Sequence, residues 1–560
     1  MPSNPSKRAA IAALVLAAVL PAGCGSGAGG PKPAVNERPG RGGELTVLGP
    51  APPATLDPHR IVGVTGVMAH AVAFRQLYVH VPGKDAPVAD LAAGPADISE
   101  DGLTVTVPVK RTGRFGPEGG RRIVARDVEH GLERALGDPI AGPRARRLLG
   151  AIDGLGPVGT WEDVPGITAV NDEKLVIRLR RPAAEEVLEG LATAASTPIP
   201  SDLPREPGAL PQDVPVYSGA YAPSGTLPAP LVRAALRLVR NPAWRPDSDP
   251  RPAYANAITF VPARRIPAAW RVLEGQGLVL AQAAPPEVAR IAAKRDSGQL
   301  AVAPLPVTRY VGLNPRAPAL RDIRARRALV AGLDREALLD AAGGGGEVAS
   351  HYLPPSVPGY DESGGVDGTG AAELREPSGD PRLAASDLRQ AGMRGGRWRG
   401  PPLTAVRGDS GADAAVARAV RRSWRELGVR LRTRVLTGAQ LRAACADRTG
   451  AVAVCLSAAA GSRAADAEGV LTPLVRGRTG TRVEEAVAAS AELPDGPLRA
   501  KAWAGINRAA VDAAIGVPWR WDERPLLVSR DVIGAVDERA GTWDLAFTSL
   551  DRKARRGQSR

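Results

Sequence analysis

The stretch that decides the fold is Lys110-Arg111-Thr112-Gly113-Arg114-Phe115, followed by Gly119 and then Ala125-Arg126-Asp127-Val128. Immediately before it, Leu103-Thr104-Val105-Thr106-Val107-Pro108-Val109 alternates β-branched residues in the manner of a strand. After it, Ala125 to Leu136 places Val128, Leu132, Ala135 and Leu136 on one helical face. The segment is a strand, a glycine-rich turn and a helix whose first turn holds Asp127, where the helix dipole favours a carboxylate.

Working outward, Gly43 to Leu48 and Lys174 to Leu179 carry further strand patterns. Ile323 to Leu339 predicts a helix with Leu329, Leu333 and Leu338 inward and arginines opposite. Ala414 to Leu427 predicts another, with Val416, Val420, Trp424 and Leu427 on one face, stopped by Gly428. Gly428 to Leu436 then alternates as a strand. Strands mixed with helices and no internal repeat give an α/β or α+β class. Two regions, Ser196 to Leu231 and Gly343 to Pro381, are rich in Pro or Gly and predict long surface loops.

The chain has 560 residues, 44% hydrophobic and 24% charged, which is globular and too long for one small core. Glycine (64) and proline (53) are abundant without a collagen period. The formal net charge is +14, and only eight of the 73 cationic residues are lysine. The arginines are scattered among acids, and no basic helix, finger or RNP pattern occurs, so a nucleic-acid role is set aside. The excess suits anionic lipid headgroups, an acidic solute or simply a solvated surface.

Lys7 and Arg8 precede an apolar run from Ala9 to Leu20, about a dozen residues and shorter than the roughly 20 needed to span a bilayer. Residues 1–23 are expected to be a signal peptide. The run ends at Leu20-Pro21-Ala22-Gly23-Cys24, which resembles the bacterial lipobox, with Pro21 where that pattern has Leu. The resemblance implies lipidation of Cys24, residues 24–42 as a flexible tether, and a membrane anchor without a spanning helix. The alternative is a plain secreted protein with a free Cys24. The remaining cysteines, Cys445 and Cys455, are either bridged, as an oxidising compartment permits, or two small buried thiols.

The order of segments resembles the large extracytoplasmic solute-binding proteins of ABC importers, family 5, the oligopeptide-, dipeptide- and nickel-binding type. Thr55-Leu56-Asp57-Pro58 is similar to the family's Leu-Asp-Pro signature. Val88-Ala89-Asp90-Leu91-Ala92 and Ser99-Glu100-Asp101-Gly102-Leu103-Thr104-Val105 are similar to "P-x-L-A … S-x-D-G-L-T-Y-T", and Lys110 to Val128 to "K-x-G-V-K-F-x-D-G-x-P-V-T-A-x-D-V". The family's capping Thr is replaced by Val124. Ser218-Gly219-Ala220-Tyr221, Leu236 to Trp244, Tyr310 to Asn314, Asp322 to Leu329, Leu333-Asp334-Arg335, Leu353-Pro354-Pro355, Pro358-Gly359-Tyr360 and Ala391-Gly392 continue in register, so that the likeness covers about residues 43 to 550.

The resemblance implies an α/β, two-lobed, periplasmic-binding-protein-like fold of type II with hinge-crossing strands. Lobe I would be 43–261, lobe II 262–517, with a C-terminal return to lobe I over 518–550 and a basic tail at 551–560. It implies a monomer that encloses a small, peptide or peptide-like solute between its lobes and passes it to ABC permease subunits at the outer face of the plasma membrane. The peptide-binding members carry "G-W-x-x-D-Y-x-D-P" in lobe II; here the stretch is Val452 to Arg463, without the Trp or either Asp. Asp466 is the nearest acid and the candidate amine anchor. Candidate cleft-lining aromatics are Tyr78, Tyr221, Trp398, Trp519 and Trp521.

Enzyme readings fare worse. Gly408-Asp409-Ser410-Gly411 resembles a protease nucleophile turn, but none of the five His lies in a matching context. There is no P-loop, no Gly-x-Ser-x-Gly, no Cys-x-x-Cys and no His pair at i, i+4, so no catalytic residue, metal ligand or cofactor is assigned. The competing reading is a degenerate family member acting as an envelope scaffold or interaction lipoprotein without transport.

Overall fold

The computed structural model describes residues 39–52, 55–84, 86–116, 120–206, 216–225, 235–295, 298–462, 466–493 and 496–551. The signal peptide, Cys24, most of the tether and the basic tail after Asp551 lie outside these, as do parts of the Ser196 to Leu231 region.

The chain folds as two α/β bodies. The N-terminal body is built on a five-stranded sheet in which Glu44–Gly49 lies between Ala257–Pro262 and Leu278–Leu280, both parallel to it; Leu236–Arg240 and Tyr221–Pro223 complete the order. A smaller four-stranded sheet, Asp97–Ile98, Thr104–Pro108, Lys174–Arg178 and Ile167–Asn171, forms a subdomain with its own core around the helix Ala125–Gly137. That helix begins where its sequence predicts. Val124 offers no side-chain acceptor, but the Asp127 carboxylate accepts from the Val124 N–H at 3.0 Å, supplying half of a capping box.

The second body holds a five-stranded mixed sheet: Leu431–Val435, Leu403–Arg407, Val454–Gly461, Leu300–Leu313 and Gly516–Leu527. Its core includes Leu329, Val420, Trp424, Trp503 and Val517. The C-terminal segment returns to the first body, where Val532, Trp543, Leu545 and Leu550 join the core of Val47, Tyr221 and Phe260.

Three expectations are corrected. Residues 262–303, assigned above to lobe II, sit with the first body: Leu278–Leu280 is a strand of its sheet, and Ala268, Val272, Val288 and Ala292 pack with Leu48 and Leu280. The helix expected over Ile323 to Leu339 is two helices, Ile323–Ala331 and Arg335–Ala341, because Gly332 ends the first and Asp334 caps the second by accepting from the Ala337 N–H. A side chain at Gly332 would also collide with Leu427 Cδ1 at 2.5 Å. The Gly343 to Pro381 region is not merely surface loop, since Tyr352, Leu353, Val357 and Leu374 are buried in the second core and Pro381 opens a helix.

Candidate functional site

Two strands join the bodies. Leu300–Leu313 leaves the first body and Gly516–Leu527 returns to it, paired antiparallel along both ends. At one end Ala303, Leu526 and Val528 belong to the first core; at the other Tyr310, Val311, Val517 and Trp519 belong to the second. Between these cores the ladder breaks. Pro304 pairs with Glu523 and Thr308 with Trp521, so three residues, Leu305-Pro306-Val307, stand against the single residue Asp522. Pro304 and Pro306 cannot donate to a ladder, which keeps this stretch from zipping into continuous sheet. A pair of strands with a broken middle, between two separate cores, is a waist, the place in this fold where a hinge would lie.

The waist is charged. Arg309 and Arg520 are direct cross-strand partners. The Asp522 carboxylate serves both, accepting from Arg309 Nε at 2.7 Å and lying 3.1 Å from Arg520 Nε. Asp522 is buried, whereas the Arg309 side chain is 46% exposed. Alternation along the strand sets this arrangement: Trp519 and Trp521 turn inward and Arg520 outward. Glu523 stands beside them with its pKa raised, chiefly by burial and then by the Glu347 carboxylate, while the Gly346 N–H bonded to it works the other way. On the first body's side, Arg524 Nη1 donates to the Gly541 carbonyl at 2.8 Å.

The Gly343-Gly344-Gly345-Gly346 run, expected from sequence to lie in a long surface loop, packs onto this waist through Gly346. All four residues have positive φ, from 68° to 104°, and a Cβ at Gly346 would lie 2.7 Å from the Trp521 carbonyl oxygen. The next residue, Glu347, accepts from the Trp521 N–H at 3.2 Å. Behind the strand, Trp521 packs against His351 and Tyr360 and donates through Nε1 to the His351 carbonyl at 3.2 Å.

The residues singled out from sequence are not brought together as one site. Tyr78 is buried in the subdomain core with its hydroxyl donating to the Gly94 carbonyl at 3.2 Å. Tyr221 has no exposure, and its hydroxyl donates to the Ala255 carbonyl at 2.7 Å. Trp398 is buried in the second core and donates to the Pro401 carbonyl. Trp519 and Trp521 reach the waist in sequence, but both rings face inward. Asp466 caps the helix Ala467–Val475, accepting from the Gly469 N–H and the Ser462 hydroxyl, each at 2.5 Å. Both its oxygens are thus used within the protein. Cys445 and Cys455 are bridged. Ser410 is a helix cap as well, accepting from the Asp413 N–H at 3.0 Å. Arg309, Arg520, Asp522 and Glu347 were missed; the only local signal was the outward position of Arg520 between two tryptophans.

Among the described residues no cluster of three or more His, Cys, Asp or Glu could hold a metal ion, and no helix is long and apolar enough to cross a membrane. The segment in place of the family's Trp/Asp motif is the strand Val454–Gly461, whose last residues are Ala458-Ala459-Ala460-Gly461 and pair with Val307 to Tyr310 at the waist.

Comparison with known proteins bears on this geometry. Solved structures share the fold across nearly the whole chain. A clavulanic acid biosynthesis oligopeptide-binding protein matches at a TM-score of 0.73, 22% identity, over 92% of this chain and 97% of that one. The unliganded open form of MppA, a periplasmic murein tripeptide binding protein, matches at 0.72 and 20% identity, over 92% and 99%. Haemophilus influenzae OppA in complex with the peptide RPPGFSPFR matches at 0.62 and 18%, over 92% and 100%. By sequence, the periplasmic oligopeptide-binding protein OppA of Escherichia coli K12 is 24% identical over 318 residues, which is 54% of this chain and about half, 55%, of that protein's length. The model of the bacterial extracellular solute-binding proteins, family 5, matches residues 86–481. With two α/β bodies joined by a pair of crossing strands and that match across most of its length, the chain belongs to the bacterial extracellular solute-binding proteins, family 5.

Proposed function

We propose that this chain is the extracytoplasmic receptor of an ABC importer, capturing a small peptide or peptide-like solute between its two bodies and handing it to permease subunits in the plasma membrane. The observation that carries the reading is the waist: two crossing strands, each anchored in both cores, with a proline-broken ladder between them. A solute touching both bodies would stabilise the closed arrangement by its differential contacts, and no bond need be made or broken. The peptide character is supported by what the relatives are named for, oligopeptides and murein tripeptide. The tether is supported by the lipobox-like Leu20 to Cys24, and the protein would work as a monomer held at the membrane by lipid on Cys24.

The test is to purify the protein without unfolding it, identify by mass spectrometry what leaves it on denaturation, and titrate that compound back. A melting temperature that rises with ligand concentration, together with a smaller radius of gyration in X-ray scattering, is the expected outcome. A chain that carries no small molecule and never changes its radius overturns the reading. Membrane fractionation of Cys24→Ala tests the anchor, with release into the soluble fraction expected.

A further inference from the structure

We infer that one face of the first body, centred on Trp270, lies on a membrane surface rich in anionic phospholipid, an inference that rests on the membrane-held part of the reading above. Of the nine tryptophans, Trp270 is the one that is exposed. It stands on the helix Arg265–Glu274 one turn after Ile266, which is 62% exposed. The other side of that helix, Ala268, Ala269, Val272 and Leu273, packs with Leu48 and Leu280, and the exposed pair takes no part in that core.

The charge around the pair is one-sided. Arg264, Arg265 and Arg271 are exposed on or just before this helix, and Arg290, Lys294 and Arg295 are exposed on its neighbour, Pro286–Arg295. The two helices hold only two acids, Glu274 and Glu287. Glu274 is already matched by Arg295 at 2.7 Å and lowered further by Arg530. Arg264, Arg271 and Lys294 have no partner among the described residues.

Exposed indole and branched carbons among cations are what an interfacial helix presents to lipid: the apolar groups enter the headgroup boundary while the cations reach phosphate. The chain also arrives at this edge. Just beyond the helix end at Glu274, the Gly277 carbonyl accepts from the N–H of Thr46 at 2.8 Å, in the strand that opens at Glu44. The segment from Cys24 therefore joins the sheet at the edge where the helix ends. Residues 25–38 span up to about 50 Å when extended, enough for the face to rest on the bilayer that holds Cys24. A second copy of the same face fits worse, because it would set like charges against each other.

The test uses the chain from residue 24 onward with Cys24→Ala, so that no lipid is attached. Its probes are vesicles of phosphatidylglycerol and phosphatidylcholine in equal parts, and of phosphatidylcholine alone. Cosedimentation is expected with the first only, and is expected to vanish in high salt. Arg264→Glu/Arg271→Glu should weaken it about tenfold or more. Arg432→Glu/Arg434→Glu, the same change of charge on the exposed edge strand of the second body, should leave it within about twofold. Melting temperature checks the fold of each variant; if the first reversal melts early, Arg264→Gln/Arg271→Gln serves. Brominated acyl chains should quench the emission of Trp270, read as the difference from Trp270→Phe. Without the anchor this contact is weak and reversible, so release of Cys24→Ala from the membrane fraction still holds.

No binding to anionic vesicles, equal losses in the two reversals, or an unquenched Trp270 overturns the inference. Uptake lost in cells carrying Arg264→Glu/Arg271→Glu, by a protein whose wild type ignores vesicles, assigns the face to a protein partner and overturns it as well. Solute capture is measured without vesicles, so the two readings fail separately.

Discussion

Asp57 and Arg134, 77 positions apart, are joined by two hydrogen bonds, Nη1 to Oδ1 at 2.9 Å and Nη2 to Oδ2 at 2.5 Å, and the Arg134 side chain has no exposure at all. The pair ties the Leu56-Asp57-Pro58 turn of the main sheet to the subdomain helix Ala125–Gly137, with His59 Nδ1 3.0 Å from the same guanidinium. Breaking a buried pair leaves one charge without a partner, at a cost of about 3–5 kcal/mol. Arg134→Met should lower the unfolding free energy by about 3 kcal/mol in urea titration, and Asp57→Asn by less, because asparagine can still accept from the guanidinium. A loss under 1 kcal/mol for Arg134→Met would remove this pair as a structural tie.

Cys445 ends the helix Gly438–Cys445, and Cys455 lies in the strand Val454–Gly461, so the bridge fastens a half-exposed helix to the central sheet of the second body. Closing a loop of this length restricts the unfolded chain by about 3 kcal/mol. Cys445→Ser/Cys455→Ser is expected to unfold at lower urea with an unchanged slope, and a reducing agent should shift the wild type to the same midpoint. If the reductant leaves the wild-type midpoint where it was, the bridge carries no stability.

Burial holds four histidines low: His59, His130 and His351 at about 4 and His70 at about 3, against an ordinary value of 6.5. All are neutral in the native state, whereas the unfolded chain takes up protons below 6.5. The unfolded state therefore binds more protons between pH 4 and 6.5, and stability falls as pH falls through that window. Glu133 and Asp544, raised by burial to about 7 and about 6, act in the opposite sense, losing stability as pH rises. A single replacement separates them. His351 donates from Nε2 to the Gly365 carbonyl at 3.0 Å and accepts at Nδ1 from the Leu353 N–H. His351→Gln should destabilise at pH 7.5 yet lose about 2 kcal/mol less than the wild type between pH 7.5 and 5; parallel profiles would refute the assignment.

Local pattern made the strand–turn–helix around Asp127 and the helix before Gly428 legible, because both rest on periodicity and end signals within a few residues. Legibility failed where pairing is long-range. Leu278–Leu280 is too short to stand out, and only its register against Thr46 to Leu48 assigns residues 262–303 to the first body. The site failed for a related reason. Aromatic residues in a chain with few of them drew attention to Trp519 and Trp521, but alternation sends both rings inward and leaves Arg520 facing out. Arg309 is one arginine among many until the ladder sets it opposite Arg520. The Leu-Asp-Pro likeness pointed at Asp57 without revealing its partner, since nothing in sequence marks Arg134.

The glycine run at the waist permits a comparison between neighbours. Gly344 and Gly346 both have positive φ, 68° and 82°, so alanine at either is strained by its backbone. A Cβ at Gly344 meets nothing within 4 Å, whereas at Gly346 it lies 2.7 Å from the Trp521 carbonyl oxygen and 3.5 Å from Arg520 Cγ. Alanine at Gly346 must push the loop off the return strand, weakening the Trp521 N–H bond to the Glu347 carbonyl and the Gly346 N–H bond to Glu523. Gly344→Ala should cost about 1 kcal/mol and Gly346→Ala about 3 kcal/mol, strain and lost contacts together. The emission of Trp521, sheltered between His351 and Tyr360 and isolated from the other tryptophans as the difference from a Trp521→Phe background, should shift to the red in Gly346→Ala only. Equal losses in the two variants would mean that the loop does not bear on the waist.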